Sequence, residues 1–232
     1  MIMDPMYFFF ALPALLLAMY AQFKVQGAFN KYSQIRNTRN VPGSQAAQYL
    51  LSAAGLQNVQ IEGTQGTLTD HYDPRGKKLR LSSAVATQPS VAALGIVAHE
   101  IGHAQQDHQG YTPMRLRAGL VPMVNLSSWL GPILFFAGLI FAPQSRLPWL
   151  GIILFSLSAI FALITLPVEL NASARAKQML AATGLITNTE EQRGVSQVLD
   201  AAAWTYVAAV AQALSTLLYY VFILTGFSRR RD

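Results

Sequence analysis

Residues 150–166 read LGIILFSLSAIFALITL, seventeen positions with no charge and no amide. They lie inside the charge-free stretch 147–168, and a helix needs about 20 apolar residues to cross a hydrocarbon core about 30 Å thick. Three more stretches hold no charge: 5–23, 118–145 and 201–228. Within the second of these, residues 130–141 (LGPILFFAGLIF) are almost wholly aliphatic or aromatic. Two further charge-free windows, 40–61 and 81–99, are rich in glutamine, asparagine and serine and read as soluble segments. The chain of 232 residues is 52% hydrophobic and only 12% charged, with no cysteine. An ordinary soluble domain is about 25% charged, so these numbers exclude a disordered chain and a disulfide scaffold and point to a membrane protein with a polar portion.

No basic residue precedes the first apolar run, and Lys24 and Lys31 follow it, so it reads as a retained anchor rather than a cleaved signal. The last run is alanine-rich at its start and carries Gln212; it reads as a span that can begin as a helix packed on the polar domain. Residues 24–117 hold ten Lys and Arg and 169–200 hold three, against one in the turn 143–146 and three in the tail. Four spans put the two richer segments on one side, which the positive-inside rule makes cytoplasmic. The tail's Arg229, Arg230 and Arg231 then lie outside, against the rule, so either the tail is tolerated or the fourth segment does not fully cross. The expected organisation is an N-terminal anchor (1–23), a polar domain (24–117), a transmembrane hairpin (118–168), a helix and connector (169–200), a C-terminal transmembrane helix (201–228) and a basic tail (229–232).

The polar domain reads as a small α+β unit. Ser44 is expected to cap a helix ended by Gly55, and NVQIEG and KKLRLSS alternate like strands around a turn-rich segment with Asp73-Pro74 and Gly76. A third segment starts at a capping Ser90 and runs as an apolar helix to Gln106.

That helix carries His99-Glu100-Ile101-Gly102-His103, an H-E-x-x-H motif. Residues i and i+4 share a helix face, so both imidazoles can bind one ion, while Glu100 stands beside it as a general base. With four His and five Glu in the chain, chance supplies about 0.0015 such motifs, so coincidence is a weak explanation. A catalytic zinc takes three protein ligands and leaves a fourth position open. Candidates for the third are His71, Asp107, His108 and Glu169. His108 turns to another face of the same helix. Glu169 follows the third span at once and is expected to open a helix 169–182 ended by Gly184; Ala172, Ser173 and Ala176 on its face are small enough for close approach. The alternative for Glu169 is a helix N-terminal charge. His71 and Tyr72, in the Asp70–Pro74 cluster, are candidates for oxyanion stabilisation. Gly102 leaves room for a second backbone or a substrate.

HEIGHAQQ, a two-span hairpin and PVELNASARA, preceded by PGSQAAQYLL, LTDHYDPR and LRLS, resemble the bacterial YugP-like membrane zinc metallopeptidases, a branch similar to the gluzincins, over nearly the whole chain. The resemblance implies one Zn2+ per chain held by His99, His103 and Glu169, with Glu100 as base. Related gluzincins often carry an aspartate four residues after the glutamate ligand; Ser173 stands there and orients a histidine more weakly. The expected fold is thus a mainly α membrane protein, about four transmembrane helices plus a small gluzincin-like α+β metallopeptidase domain. The expected function is membrane-embedded, zinc-dependent endopeptidase activity on protein or peptide substrates at the surface of the bacterial inner membrane. The alternative is a non-catalytic, zinc-stapled scaffold of a larger membrane assembly, which four protein ligands or a salt-bridged Glu100 would favour. Expected partners are the lipid bilayer, with Lys24, Arg115 and Arg117 as headgroup anchors, a peptide substrate, and a membrane-protein partner or second copy. The net charge of +6 needs no nucleic acid, because no aromatic-basic interleaving accompanies it.

Overall fold

The computed structural model describes residues 5–142 and 144–229; Pro143 of the expected turn and Arg230, Arg231 and Asp232 of the tail lie outside the described residues. Ten elements follow in order: α1 (Pro5–Ser33), α2 (Gly43–Ala53), β1 (Gln60–Thr64), β2 (His71–Asp73), β3 (Lys78–Ser82), α3 (Ser83–Thr87), α4 (Val91–His108), α5 (Thr112–Phe141), α6 (Leu147–Ala182) and α7 (Thr189–Arg229). α1, α5, α6 and α7 are each long and apolar enough to cross a membrane. The chain divides into two compact units, one from residues 1–21, 115–166 and 205–232, the other from residues 22–114 and 167–204.

In the first unit the apolar residues point outward as well as inward. Phe9, Phe141 and Ile153 are 70%, 84% and 61% exposed, far more large apolar surface than a soluble domain tolerates. Close helix packing there runs through small residues, as lipid demands. A Cβ added at Gly138 would lie 2.6 Å from Pro148 and one at Gly151 2.6 Å from the Phe135 nitrogen. Phe135 is fully buried and stacks on Tyr220 at 4.4 Å between ring centres.

The second unit has an ordinary core. β3 lies between β1 and β2, parallel to β1 and antiparallel to β2. Its alternation is legible in the sequence: Leu79 and Leu81 are buried, while Lys78 and Arg80 stand on the other face and pair with Glu62 of β1. Leu50 of α2 and Leu94, Val97 and Ile101 of α4 complete the core.

Three expectations are corrected. Ser44 does not cap α2: the helix starts at Gly43 with Pro42 at the N-cap and no side-chain cap bond. A Cβ at Gly43 would lie 2.1 Å from the Val85 carbonyl oxygen, so the first turn begins where only glycine fits. The Asp70–Pro74 cluster holds a third strand, β2, besides its turn. Glu169 does not open a helix, because α6 runs unbroken from Leu147 through Pro167 to Ala182. Proline removes one backbone donor, which an apolar helix tolerates when neighbouring groups re-satisfy the freed carbonyl. The helix-terminus reading of Glu169 therefore falls. Gly55 and Gly184 do follow their helices, with φ of 71° and 64°.

Candidate metal centre

α4 starts where the sequence suggests, with the Ser90 hydroxyl accepting the Ala93 N–H at 3.1 Å. Its first two turns are buried nearly all round, and the polar residues begin at His99. Gly102 lets α6 come close: a Cβ there would stand 2.6 Å from the Ala172 carbonyl oxygen. This contact brings Glu169, one turn before Ser173, against the histidine face of α4.

The ring nitrogens Nε2 of His99 and His103 lie 3.2 and 3.3 Å from Glu169 Oε2. Their Nδ1 atoms are already engaged, His99 with Ser173 Oγ at 3.1 Å and His103 with Gln106 Oε1 at 3.0 Å. Two nitrogen lone pairs and a carboxylate oxygen can therefore converge on one point. Among the described residues these three form the group of His, Asp and Glu side chains close enough to hold a metal ion, with ligand atoms within 4.8 Å of one another. A tetrahedral ion with bonds of about 2.0–2.1 Å needs ligand atoms about 3.3 Å apart; Glu169 Oε2 stands at that spacing from each imidazole, and the donor set fits zinc in type. Glu169 is only 2% exposed. Burial alone would lower the His103 pKa, but the hydrogen bond to Glu169 and the charges of Glu100 and Glu169 outweigh it and hold it above the ordinary histidine value. The pocket favours positive charge.

Glu100 turns to the sheet. Its Oε2 accepts the Tyr72 backbone N–H at 2.9 Å, a donor that faces away from β3 because β2 is an edge strand. Two turns further along α4, Asp107 accepts the Tyr72 hydroxyl at 2.7 Å and pairs with Lys77 at 2.5 Å. Burial and the Asp107 carboxylate push the Tyr72 phenol well above its usual pKa, so it remains a donor. Tyr72 and Asp107 are thus bound to each other and neither joins the histidines. His71 is exposed, its Nδ1 2.8 Å from the Thr69 carbonyl oxygen and its Nε2 3.3 Å from Arg80 Nη1, and it stays outside the group. His108 is exposed at the end of α4.

Sequence reasoning missed Gln106. It is 0% exposed, and besides meeting His103 its Nε2 donates to the Val168 carbonyl at 2.8 Å and to Asn171 Oδ1 at 3.0 Å. The available signal was an amide on the buried helix face three residues after His103, a position an apolar side chain would otherwise occupy.

Over residues 7–225 the chain matches the family described as "Putative neutral zinc metallopeptidase". It is 44% identical over 218 residues to the "Putative membrane protease YugP" of Bacillus subtilis (strain 168), covering 94% of this chain and 96% of that protein. No solved structure matches it.

Proposed function

Because the chain belongs to the "Putative neutral zinc metallopeptidase" family, we propose that it is a membrane-embedded endopeptidase that hydrolyses peptide bonds of protein or peptide substrates at the membrane surface. One Zn2+ per chain is held by His99, His103 and Glu169. The observation that carries this reading is the convergence of the two Nε2 atoms on Glu169 Oε2, at 3.2 and 3.3 Å, while both Nδ1 atoms are bound elsewhere.

When bound, zinc polarises the scissile carbonyl and acidifies a water molecule. The chain's own residues do the rest. Ser173 and Gln106 hold the imidazoles so that Nε2 faces the site. Glu100 is aimed by the Tyr72 N–H, takes the proton of the attacking water on a carboxylate oxygen and passes it to the leaving amine nitrogen. His71, turned to Thr69 and Arg80, is given no step.

Metal analysis tests the ligand set. Purified protein is expected to carry one zinc per chain, and His99→Ala, His103→Ala and Glu169→Gln are each expected to lose it. Wild-type protein without stoichiometric metal, or a His103→Ala variant that keeps it, removes the basis of the reading.

The site is further assigned to the cytoplasmic face of the bacterial plasma membrane, on the basic excess of segments 24–117 and 169–200. The cysteine-free chain allows a direct test. Single cysteines at the exposed positions Gln57 and Glu190 should be shielded from a membrane-impermeant thiol reagent in intact cells, and one at exposed Gln144 should be labelled. Opposite behaviour at 57 and 190 rules out Glu169 as a ligand; labelling of both, with 144 shielded, turns the protease outward.

A further inference from the structure

The two histidines are oriented by partners of different kinds. Ser173 offers His99 a hydroxyl, which can donate or accept, so it serves either tautomer of the ring. His103 instead faces an amide whose two ends cannot exchange. Gln106 meets the Val168 backbone carbonyl, which only accepts, so the atom facing it is the NH2 group. The same group meets Asn171, and the Asn171 atom is itself fixed: Arg175 Nε, which only donates, approaches it at 2.7 Å, so it is the oxygen. Arg175 is held in turn by Gln109 Oε1 at 2.7 Å and lies over the Tyr111 ring, 5.9 Å from its centre. With its NH2 committed twice, Gln106 can present only its carbonyl oxygen to His103, at 3.0 Å.

From this chain of directions we infer that Arg175, Asn171 and Gln106 are positioning residues that lock His103 with the proton on Nδ1 and the lone pair of Nε2 aimed at the metal. The inference deepens the zinc-peptidase reading and rests on it. Every link has one polarity only, from a half-exposed guanidinium on α6 to a fully buried amide on α4. A flipped Gln106 would set its NH2 against His103 Nδ1 and its oxygen against two acceptors, so the Gln106 oxygen faces Nδ1 whether or not metal is bound, and a proton on Nδ1 leaves Nε2 to the metal. His99 lacks such a lock. His103 is therefore the preset ligand and His99 the adaptable one.

The test is zinc affinity, measured on the full chain in detergent by competition with a chelator. Gln106→Leu is expected to weaken zinc about 10–100-fold, the usual effect of removing a partner of a metal-binding imidazole. Asn171→Asp keeps an acceptor for both Gln106 and Arg175 and should bind as the wild type does. Asn171→Leu loses that acceptor and should fall between wild type and Gln106→Leu. In the zinc-loaded protein, nitrogen-labelled histidine should show a slowly exchanging His103 Nδ1–H by NMR in wild type and Asn171→Asp. Should Gln106→Leu misfold, the Asn171 pair at its half-buried site decides alone. Equal affinity of Asn171→Leu and wild type, Asn171→Asp as damaging as Asn171→Leu, or a His103 bound through Nδ1 overturns the inference. A wild-type chain that binds no zinc overturns the metal reading as well, whereas normal zinc in the wild type with unchanged variants overturns the lock alone.

Discussion

Glu100→Gln is expected to leave zinc bound and the fold intact while peptide hydrolysis falls by about 10²–10⁴-fold, the usual contribution of a positioned general base. The amide is nearly isosteric with the carboxylate, and its oxygen can still accept the Tyr72 N–H that Glu100 Oε2 accepts at 2.9 Å. The helix and the edge strand therefore stay in place. What disappears is an atom basic enough to take a proton from water. The measurements are kcat/KM on a fluorogenic peptide and zinc per chain. Hydrolysis within a few-fold of wild type would show that another group is the base; a variant devoid of zinc would show that Glu100 holds the metal rather than the proton.

Gly102→Ala is expected to damage both stability and metal binding. The added Cβ would lie 2.6 Å from the Ala172 carbonyl oxygen and 3.2 Å from its carbonyl carbon and Cα. These are backbone atoms of a fully buried residue, so no rotamer change relieves the clash and α6 must move. The movement carries Glu169 and Ser173 with it. Alanine improves helix propensity by about 1 kcal/mol, but overpacking costs about 1–3 kcal/mol, and a misplacement of about 1 Å at a reacting centre can cost about 10²-fold in rate. The expected result is a lower Tm, weaker zinc binding and that loss of activity. Gly27→Ala is the control, because a Cβ there meets nothing within 4 Å. Wild-type Tm and zinc affinity in Gly102→Ala would refute the close-approach argument.

The parts of this molecule legible in its sequence are those written in local periods. A charge-free run shows its own length, and the i, i+4 spacing of His99 and His103 needs only that the segment be helical. Glu169 was legible because a carboxylate directly after an apolar span is conspicuous. Its helical context was not, since nothing local to the sequence says whether the apolar helix stops at the span's end or continues, as α6 does through Pro167. β2 has three residues, too few for alternation to register. Gln106 was hidden for a different reason: its partners Val168 and Asn171 lie 62 and 65 residues away, and no local pattern announces a long-range hydrogen bond. Ser44 misled because it is a good cap in isolation, while the true start was set by a steric contact of Gly43 with the α3 backbone.

The grip of α4 on β2 also determines which residue of that strand faces which way. A strand this short has little pairing with β3 to hold it in place, and sliding it by one residue would turn every side chain to the opposite face. Glu100 alone would not detect the slip, because any edge residue facing outward offers a backbone N–H. Asp107 would, because only Tyr72 in β2 carries a phenol. The two carboxylates stand seven residues apart, two helical turns and about 10.5 Å along the axis, and a single placement of the strand satisfies both. The histidine helix α4 is thus a template against which the edge strand is gauged.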